Sequence, residues 1–230
     1  RLEIKLKNNL TVIIPAYNEE QGIKNTLIQL KEGTKDFDFE IVVVDDGSKD
    51  STAEIVSKIS DVIVIRHHKN RGYGASLKTG IKAASNEIIA FYDADGQHSP
   101  EDLVTLFKQF SNIDMLVGAR GKDSFQDWKR KPGKWVLSKI ANYLTGQKIP
   151  DLNSGLRVVR RSIILKYLHL FPEGFSFSTT STIAFMNLGY EVEYHPITVV
   201  KRVGKSTVKQ IKHGSNTILL MLRLIVLFNP

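Results

Sequence analysis

The sequence predicts an α/β fold, a mostly parallel sheet flanked by helices on both faces. Two observations carry this. From residue 10 to residue 118, short apolar runs rich in Val and Ile alternate with segments of helical periodicity. That is the pattern of strands covered on both faces and joined by crossover helices. In addition, three of the first four runs lead into acidic turns: Glu19-Glu20, Asp45-Asp46 and Asp93-Ala94-Asp95. In a parallel sheet such ends share one rim, where open α/β sheets bind ligands.

The first strand is residues 10–14, LTVII, and the next segment, 19–31, reads as a helix because Ile23, Leu27 and Leu30 recur at helical spacing. Residues 40–44, EIVVV, form the second strand. Gly47 then permits a tight turn with positive φ, and Ser48 or Asp50 is placed to cap a helix over 51–60. A third strand at 62–65 leads to a helix over 75–84, and a fourth strand at 87–92 precedes Pro100. Proline suits a first helical turn, so 100–110 is the next helix, followed by a fifth strand at 114–118. The crossovers are expected to be right-handed.

Beyond Gly118 the pattern changes. Residues 120–133 are polar, charged and aperiodic, as functional loops often are. An amphipathic helix is expected over 134–144, a strand over 156–159 and a helix over 180–188. Strands at 190–194 and 197–200 are expected to be separated by Pro196, and a long helix to cover 208–228, broken near Gly214.

With 230 residues, 42% of them hydrophobic, the chain can bury a large core as one domain. The absence of cysteine excludes disulfides and thiolate metal sites. A net charge of +8 suits anionic partners, and the basic residues concentrate in 120–139, 157–166 and 201–212. No signal peptide is visible at Arg1-Leu2-Glu3-Ile4-Lys5. Because the sequence opens on Arg, residues are expected to precede it. The apolar run 217–228, TILLMLRLIVLF, is shorter than the ~20 residues that span a bilayer. It reads as an interfacial helix, the start of a membrane region, or a core helix.

The richest chemistry lies in Asp93-Ala94-Asp95-Gly96-Gln97 at the end of the fourth strand. Hard divalent cations take oxygen ligands and are commonly shared between one or two carboxylates and substrate phosphates. This turn therefore reads as a metal bridge to a nucleotide diphosphate, or as a solvated acidic loop. His98 lies within reach of such a site or is one more exposed strand-end histidine. After the first strand, Tyr17 can stack a base and Glu19 can accept from base or ribose, unless Asn18 merely caps the next helix. Asp45 and Asp46 face the same rim. Gly72 and Gly74 precede a helix and serve a phosphate or only turn geometry; Leu77 stands where a dinucleotide fingerprint needs its third glycine. Val203-Gly204-Lys205-Ser206-Thr207 has the tail of a P-loop, but Val199 replaces its first glycine. Asp151 is a catalytic or orienting carboxylate, or part of an ordinary turn. No Ser-His-Asp arrangement stands out.

Taken in order, PAYNE at 15–19, DDGSKD at 45–50, NRGYGAS at 70–76, DADGQH at 93–98, DLNSGLR at 151–157, FSFSTT at 175–180 and RVGKST at 202–207 resemble family 2 glycosyltransferases. Within them the chain is similar to the dolichyl- and polyprenyl-phosphate sugar synthases. The resemblance implies a GT-A fold over 1–206, with 207–230 an amphipathic helix leading to membrane-spanning helices beyond it. It implies an inverting, metal-dependent hexosyl transfer from a UDP- or GDP-sugar to a polyprenyl or dolichyl phosphate, at the cytoplasmic face of a membrane. Donor contacts would come from Pro15, Tyr17, Glu19, Asp45, Asp46, Lys78, Asp93, Ala94, Asp95 and Lys205. Mg²⁺ or Mn²⁺ would bind Asp93, Asp95 and Gln97. Arg120, Lys134 and Ser138 would contact the acceptor phosphate, Lys134 standing where mannose synthases carry arginine. Asp95, Asp151 and Arg202 would act in catalysis, with Arg202 and Lys205 on a basic loop over the phosphates.

Two other readings compete. Family 2 enzymes acting on saccharide or other non-lipid acceptors commonly carry Q-x-x-R-W, whereas Gln126-Asp127-Trp128-Lys129-Arg130 has those ingredients in another order. A basic module for membrane surfaces or nucleic acid would need a stripe of cations with interleaved aromatics. Phe125, Trp128 and Trp135 lie among the basic residues, but the acidic strand ends have no place in that scheme, and no nucleic-acid partner is expected.

Overall fold

The computed structural model describes residues 9–121, 139–143 and 145–200. Lys134, Ser138, Arg202, Lys205 and the helix expected over 208–228 lie outside the described residues. Among the described residues seven strands make one sheet in the order β3-β2-β1-β4-β6-β5-β7. They are β1 (Leu10–Ala16), β2 (Phe39–Asp45), β3 (Ile63–Arg66), β4 (Ile88–Phe91), β5 (Met115–Arg120), β6 (Arg157–Arg160) and β7 (Val192–Ile197). All pairings are parallel except those of β6, which is antiparallel to both β4 and β5. The six like-directed strands therefore send their carboxyl ends to one rim, and β6 brings its amino end there.

The helices are α1 (Ile23–Gly33), α2 (Thr52–Ser57), α3 (Tyr73–Ala83), α4 (Pro100–Gln109), α5 (Arg161–Lys166) and α6 (Phe177–Asn187), with residues 139–143 also helical. β1 shows how the sheet gains its two covers. Leu10, Val12 and Ile14 join one core with Leu27, Leu30, Leu103 and Leu106, while Ile13 joins the other with Leu77, Ile81 and Phe177. Successive side chains point to opposite faces, so one apolar run serves both layers. Each fully buried aliphatic side chain contributes about 2 kcal/mol. α4 starts where its sequence says: the Ser99 hydroxyl accepts from the Asp102 amide at 3.1 Å, with Pro100 in the first turn.

Several expectations are corrected. α1 begins at Ile23 rather than 19, because the amides of Glu19 and Glu20 are drawn across to Thr52 Oγ1 (2.9 Å) and Asp50 Oδ2 (3.2 Å). Pro196 does not split the last strand. β7 pairs on one side only, and an edge strand tolerates proline on its free side. α5 had no predicted counterpart, and α6 begins three residues before 180. Nor is 157–166 simply a basic surface. Arg157 is fully buried, Arg160 donates to the carbonyls of Ile113 and Ser111, and Arg161 donates to those of Ile81 and Lys82. Among the described residues no helix is long and apolar enough to cross a membrane.

Candidate active site

The rim gathers its chemistry at the point where strand order reverses, between β1 and β4. Chain connections leave β1 toward β2 and β3, then return to its other side, which opens a crevice at the carboxyl ends. On one flank, the turn after β2 is tightly tied. Gly47 has φ 71°, as its place in the turn requires. Asp45 is buried, accepting from the Ser48 amide at 3.0 Å and pairing with Arg66 Nε at 3.0 Å. Asp46, also buried, bonds His67 Nδ1 (2.7 Å) and the amides of Arg71 (2.9 Å) and Gly72 (2.7 Å). Both acids thus shape the crevice wall and are not simply presented to it.

The turn after β1 is fastened to the same wall. Asn18, at φ 54°, is not a helix cap: its amide donates to Ser48 Oγ (2.9 Å), and its Oδ1 accepts from the Lys49 amide (2.8 Å). Pro15 is buried within β1, beside Val44, and Tyr17 is half-buried at the rim. Lys78 is a half-buried residue of α3. Burial lowers the pKa of its ammonium, with Glu173 opposing and Lys82 and Arg71 assisting.

Across the crevice stands Asp93, two residues beyond β4. Its Oδ1 accepts from the Tyr73 hydroxyl at 3.1 Å, and its Oδ2 lies 3.5 Å from His98 Nε2. Desolvation disfavours its charge, but His98, Tyr73 and the positive field of Arg120 outweigh this and hold the carboxyl below its usual range. His98 is buried, contrary to the picture of an exposed strand-end histidine, and its carbonyl accepts from the Tyr92 hydroxyl. Ala94 is buried, and its carbonyl accepts from Thr26 Oγ1. Asp95 is largely buried and accepts from the Gln97 amide at 3.2 Å. The Gln97 side-chain nitrogen is tied to the Val200 carbonyl at 2.9 Å, which leaves its amide oxygen as the atom with metal chemistry.

The third wall comes from the end of β5 and the approach to β6. Arg120 and Asp151 form a two-pronged pair, Nε to Oδ2 at 2.5 Å and Nη2 to Oδ1 at 2.7 Å, reinforced by the Arg120 amide at 3.2 Å. Desolvation works against both charges. The pairing overcomes it, raising the pKa of Arg120 and lowering that of Asp151. Asp151 thus fixes the position of the Arg120 guanidinium and main-chain amide.

Gly155 leaves the room that Asp93 occupies: a Cβ there would sit 2.0 Å from Asp93 Oδ2 and 2.7 Å from its Cγ. Gly155→Ala is accordingly expected to swing the carboxylate away. Turnover at this site should fall about tenfold to a hundredfold, as misplacement of about an ångström does, while the melting temperature stays within a few degrees. Steady-state rates and thermal melts check this.

Gly155, Tyr73 and Arg157 are the residues that sequence reasoning did not assign. Arg157 is fully buried, with Nη1 on the Ser178 carbonyl and Thr182 hydroxyl and Nη2 on the Ser154 carbonyl. Burial lowers its pKa, opposed by Tyr73, Tyr194, Asp151 and Asp93.

The sequence profile described as glycosyl transferase family 2 matches residues 11–168. The chain belongs to that family. This family 2 domain is 44% identical over 162 residues to an uncharacterized protein of Methanocaldococcus jannaschii, covering 66% of the chain and 64% of that protein. It is 35% identical over 179 residues to the UDP-N-acetylglucosamine–dolichyl-phosphate N-acetylglucosaminyltransferase of Methanococcus voltae, covering 66% and 70%. It is 29% identical over 164 residues to the undecaprenyl-phosphate 4-deoxy-4-formamido-L-arabinose transferase of Proteus mirabilis, covering 68% of the chain and half (50%) of that enzyme. Among solved structures, the glucosyl-3-phosphoglycerate synthase of Mycobacterium tuberculosis, determined with Mn²⁺, UDP and phosphoglyceric acid, shares the fold. Its TM-score is 0.76 at 18% identity, with 94% of this chain and 78% of that one covered.

The glycosyltransferase rim suits a hard divalent ion. Asp93 and Asp95 are oxygen donors one residue apart, and the gap opposite Gly155 keeps the Asp93 carboxylate in place. Among the described residues no three His, Cys, Asp or Glu converge into an all-protein cage.

Proposed function

We propose that this family 2 glycosyltransferase moves a sugar, with inversion, from a nucleotide-sugar donor to a polyprenyl or dolichyl phosphate. The observation that carries the reading is the placing of Arg120 beside the acidic rim. Its Nε and Nη2 are held by Asp151, and among the described residues Nη1 has no hydrogen bond. A cation fixed in that way, with the charge of Asp93 close by, is built to seat a second anion next to the donor. The relatives named for dolichyl- and undecaprenyl-phosphate substrates support the acceptor class.

On this reading the crevice formed by Pro15, Tyr17, Glu19, Asp45, Asp46 and Lys78 receives the nucleotide. Asp93 and Asp95, with Gln97, would hold Mg²⁺ or Mn²⁺, and Ala94 fixes the turn. When bound, the ion supplies Lewis-acid stabilisation for the departing nucleoside diphosphate. Arg202 and Lys205 are proposed to add positive charge there. Arg120, Lys134 and Ser138 orient the acceptor phosphate. A phosphate monoester with a second pKa of about 6 is already anionic at neutral pH, so attack needs no strong protein base, and Asp151 serves by aligning Arg120. A lipid acceptor sets the reaction at a membrane surface, which we take to be the cytoplasmic face. A net charge of +8 favours anionic headgroups there.

The test is a screen of radiolabelled UDP- and GDP-sugars against polyprenyl phosphate and soluble saccharides. Label is expected in an organic-extractable product, lost in excess EDTA and restored by Mn²⁺ or Mg²⁺. Transfer only to soluble acceptors would overturn the acceptor assignment, and full activity in chelator would overturn the metal assignment.

A further inference from the structure

The carboxylate proposed to meet the metal is held by an aromatic side chain with no assigned role. We propose that Tyr73 is a positioning residue for the metal site: its hydroxyl fixes Asp93 in the orientation that the divalent ion requires. The inference rests on the metal-dependent reading above and deepens it.

Three sets of contacts fix the phenol. Its hydroxyl donates to Asp93 Oδ1 at 3.1 Å, the oxygen not facing His98. Its ring stacks on Phe175, with centroids 5.5 Å apart and planes 17° from parallel. Its backbone follows directly on the two amides that Asp46 captures, those of Arg71 and Gly72. His67 holds Asp46 in turn, with Thr79 Oγ1 at 2.9 Å from its Nε2. A connected path therefore runs from the acid at the end of β2, through the turn at 71–73, to the acid after β4.

The Phe175 side of the stack is equally fastened. The Ala75 amide donates to the Glu173 carbonyl at 3.0 Å, and Arg71 pairs with the Glu173 carboxylate at 3.6 Å. Close approach is possible because Gly72 and Gly74 lack side chains: a Cβ would fall 2.5 Å from Glu173 O or 2.3 Å from Pro172 O. These glycines admit a protein segment, and the Glu173 carbonyl takes up an amide of the first turn of α3.

With Oδ1 oriented by Tyr73 and Gly155 leaving space at Oδ2, the carboxylate cannot rotate freely. That is how an outer partner tunes a metal ligand, and its loss typically costs tenfold to a hundredfold in metal affinity.

Tyr73→Phe keeps the ring, its stack and its burial, and deletes only the donor. Mn²⁺ would be titrated by electron paramagnetic resonance, alone and with UDP or GDP, beside thermal melts and metal-free nucleotide binding. About tenfold weaker Mn²⁺ binding is expected, with metal-free nucleotide affinity and melting temperature unchanged. Phe175→Leu, which frees the ring, should give a smaller shift in the same direction. Equal Mn²⁺ affinity in wild type and Tyr73→Phe would overturn the positioning role and leave the metal-dependent reading intact. No Mn²⁺ binding by wild type would overturn both. A large fall in melting temperature with parallel loss of nucleotide and metal would mark a structural role and also overturn the proposal.

Discussion

Asp93→Asn is expected to lower sugar transfer about a thousandfold or more at saturating donor and Mn²⁺. The substitution is nearly isosteric and retains an oxygen for the Tyr73 hydroxyl, so the turn after β4 should keep its shape. What it removes is the negative charge. In the native site that charge is favoured by His98, Tyr73 and Arg120 despite burial, and on the proposed reading it also faces the cation that stabilises the departing diphosphate. Losing several kcal/mol of transition-state stabilisation corresponds to a factor of about a thousand. Initial rates together with Mn²⁺ titration check this: affinity for the ion should fall with the rate. Activity within tenfold of wild type would show that Asp93 is not the carboxylate on which transfer depends.

The halves of the chain differ in how legible they were. β1, β2 and β4 were readable because each is a continuous apolar run bounded by turn residues, and burial on both faces demands that pattern. The acids at their ends were readable as a shared rim for the same reason. The sequence could not reveal which of those acids the fold itself occupies. Asp46 is engaged by amides 25 and 26 residues away, contacts that exist only once α3 docks. Gly155 carried no signal of its own in the sequence, since Asn-Ser-Gly is ordinary turn chemistry. Its role as the space beside Asp93 depends on β6 running antiparallel next to β4, with Arg157 opposite Phe91. A four-residue strand such as RVVR carries no signal of direction. Arg157 counted only as one of the basic residues of 157–166, and charge is normally exposed. Its burial follows from the hydroxyls and carbonyls of 154–182 that receive it.

Asp151→Ala is expected to cost about 3 kcal/mol of stability, because it strands a partly buried guanidinium whose two bonds to the carboxylate are lost. In a chain of this size that is a fall of about 6–12 °C in melting temperature. Arg120→Ala should destabilise by a similar amount, and the double variant by much less than the sum, since each single change leaves the other charge unpaired. Acid should act on the same pair. The folded pKa of Asp151 lies below its unfolded value of about 3.9. Its contribution is therefore fully present above that value and disappears as pH falls through the folded pKa. Wild-type stability should drop on acidification through this range, and Asp151→Ala should show a shallower drop. Catalysis separates the pair's two roles. On the proposed reading, if Asp151 only aligns Arg120, both single variants should raise the KM for a polyprenyl phosphate more than that for the donor. A variant lacking Asp151 that kept normal acceptor kinetics at a temperature where it stays folded would leave the pair with a structural role alone.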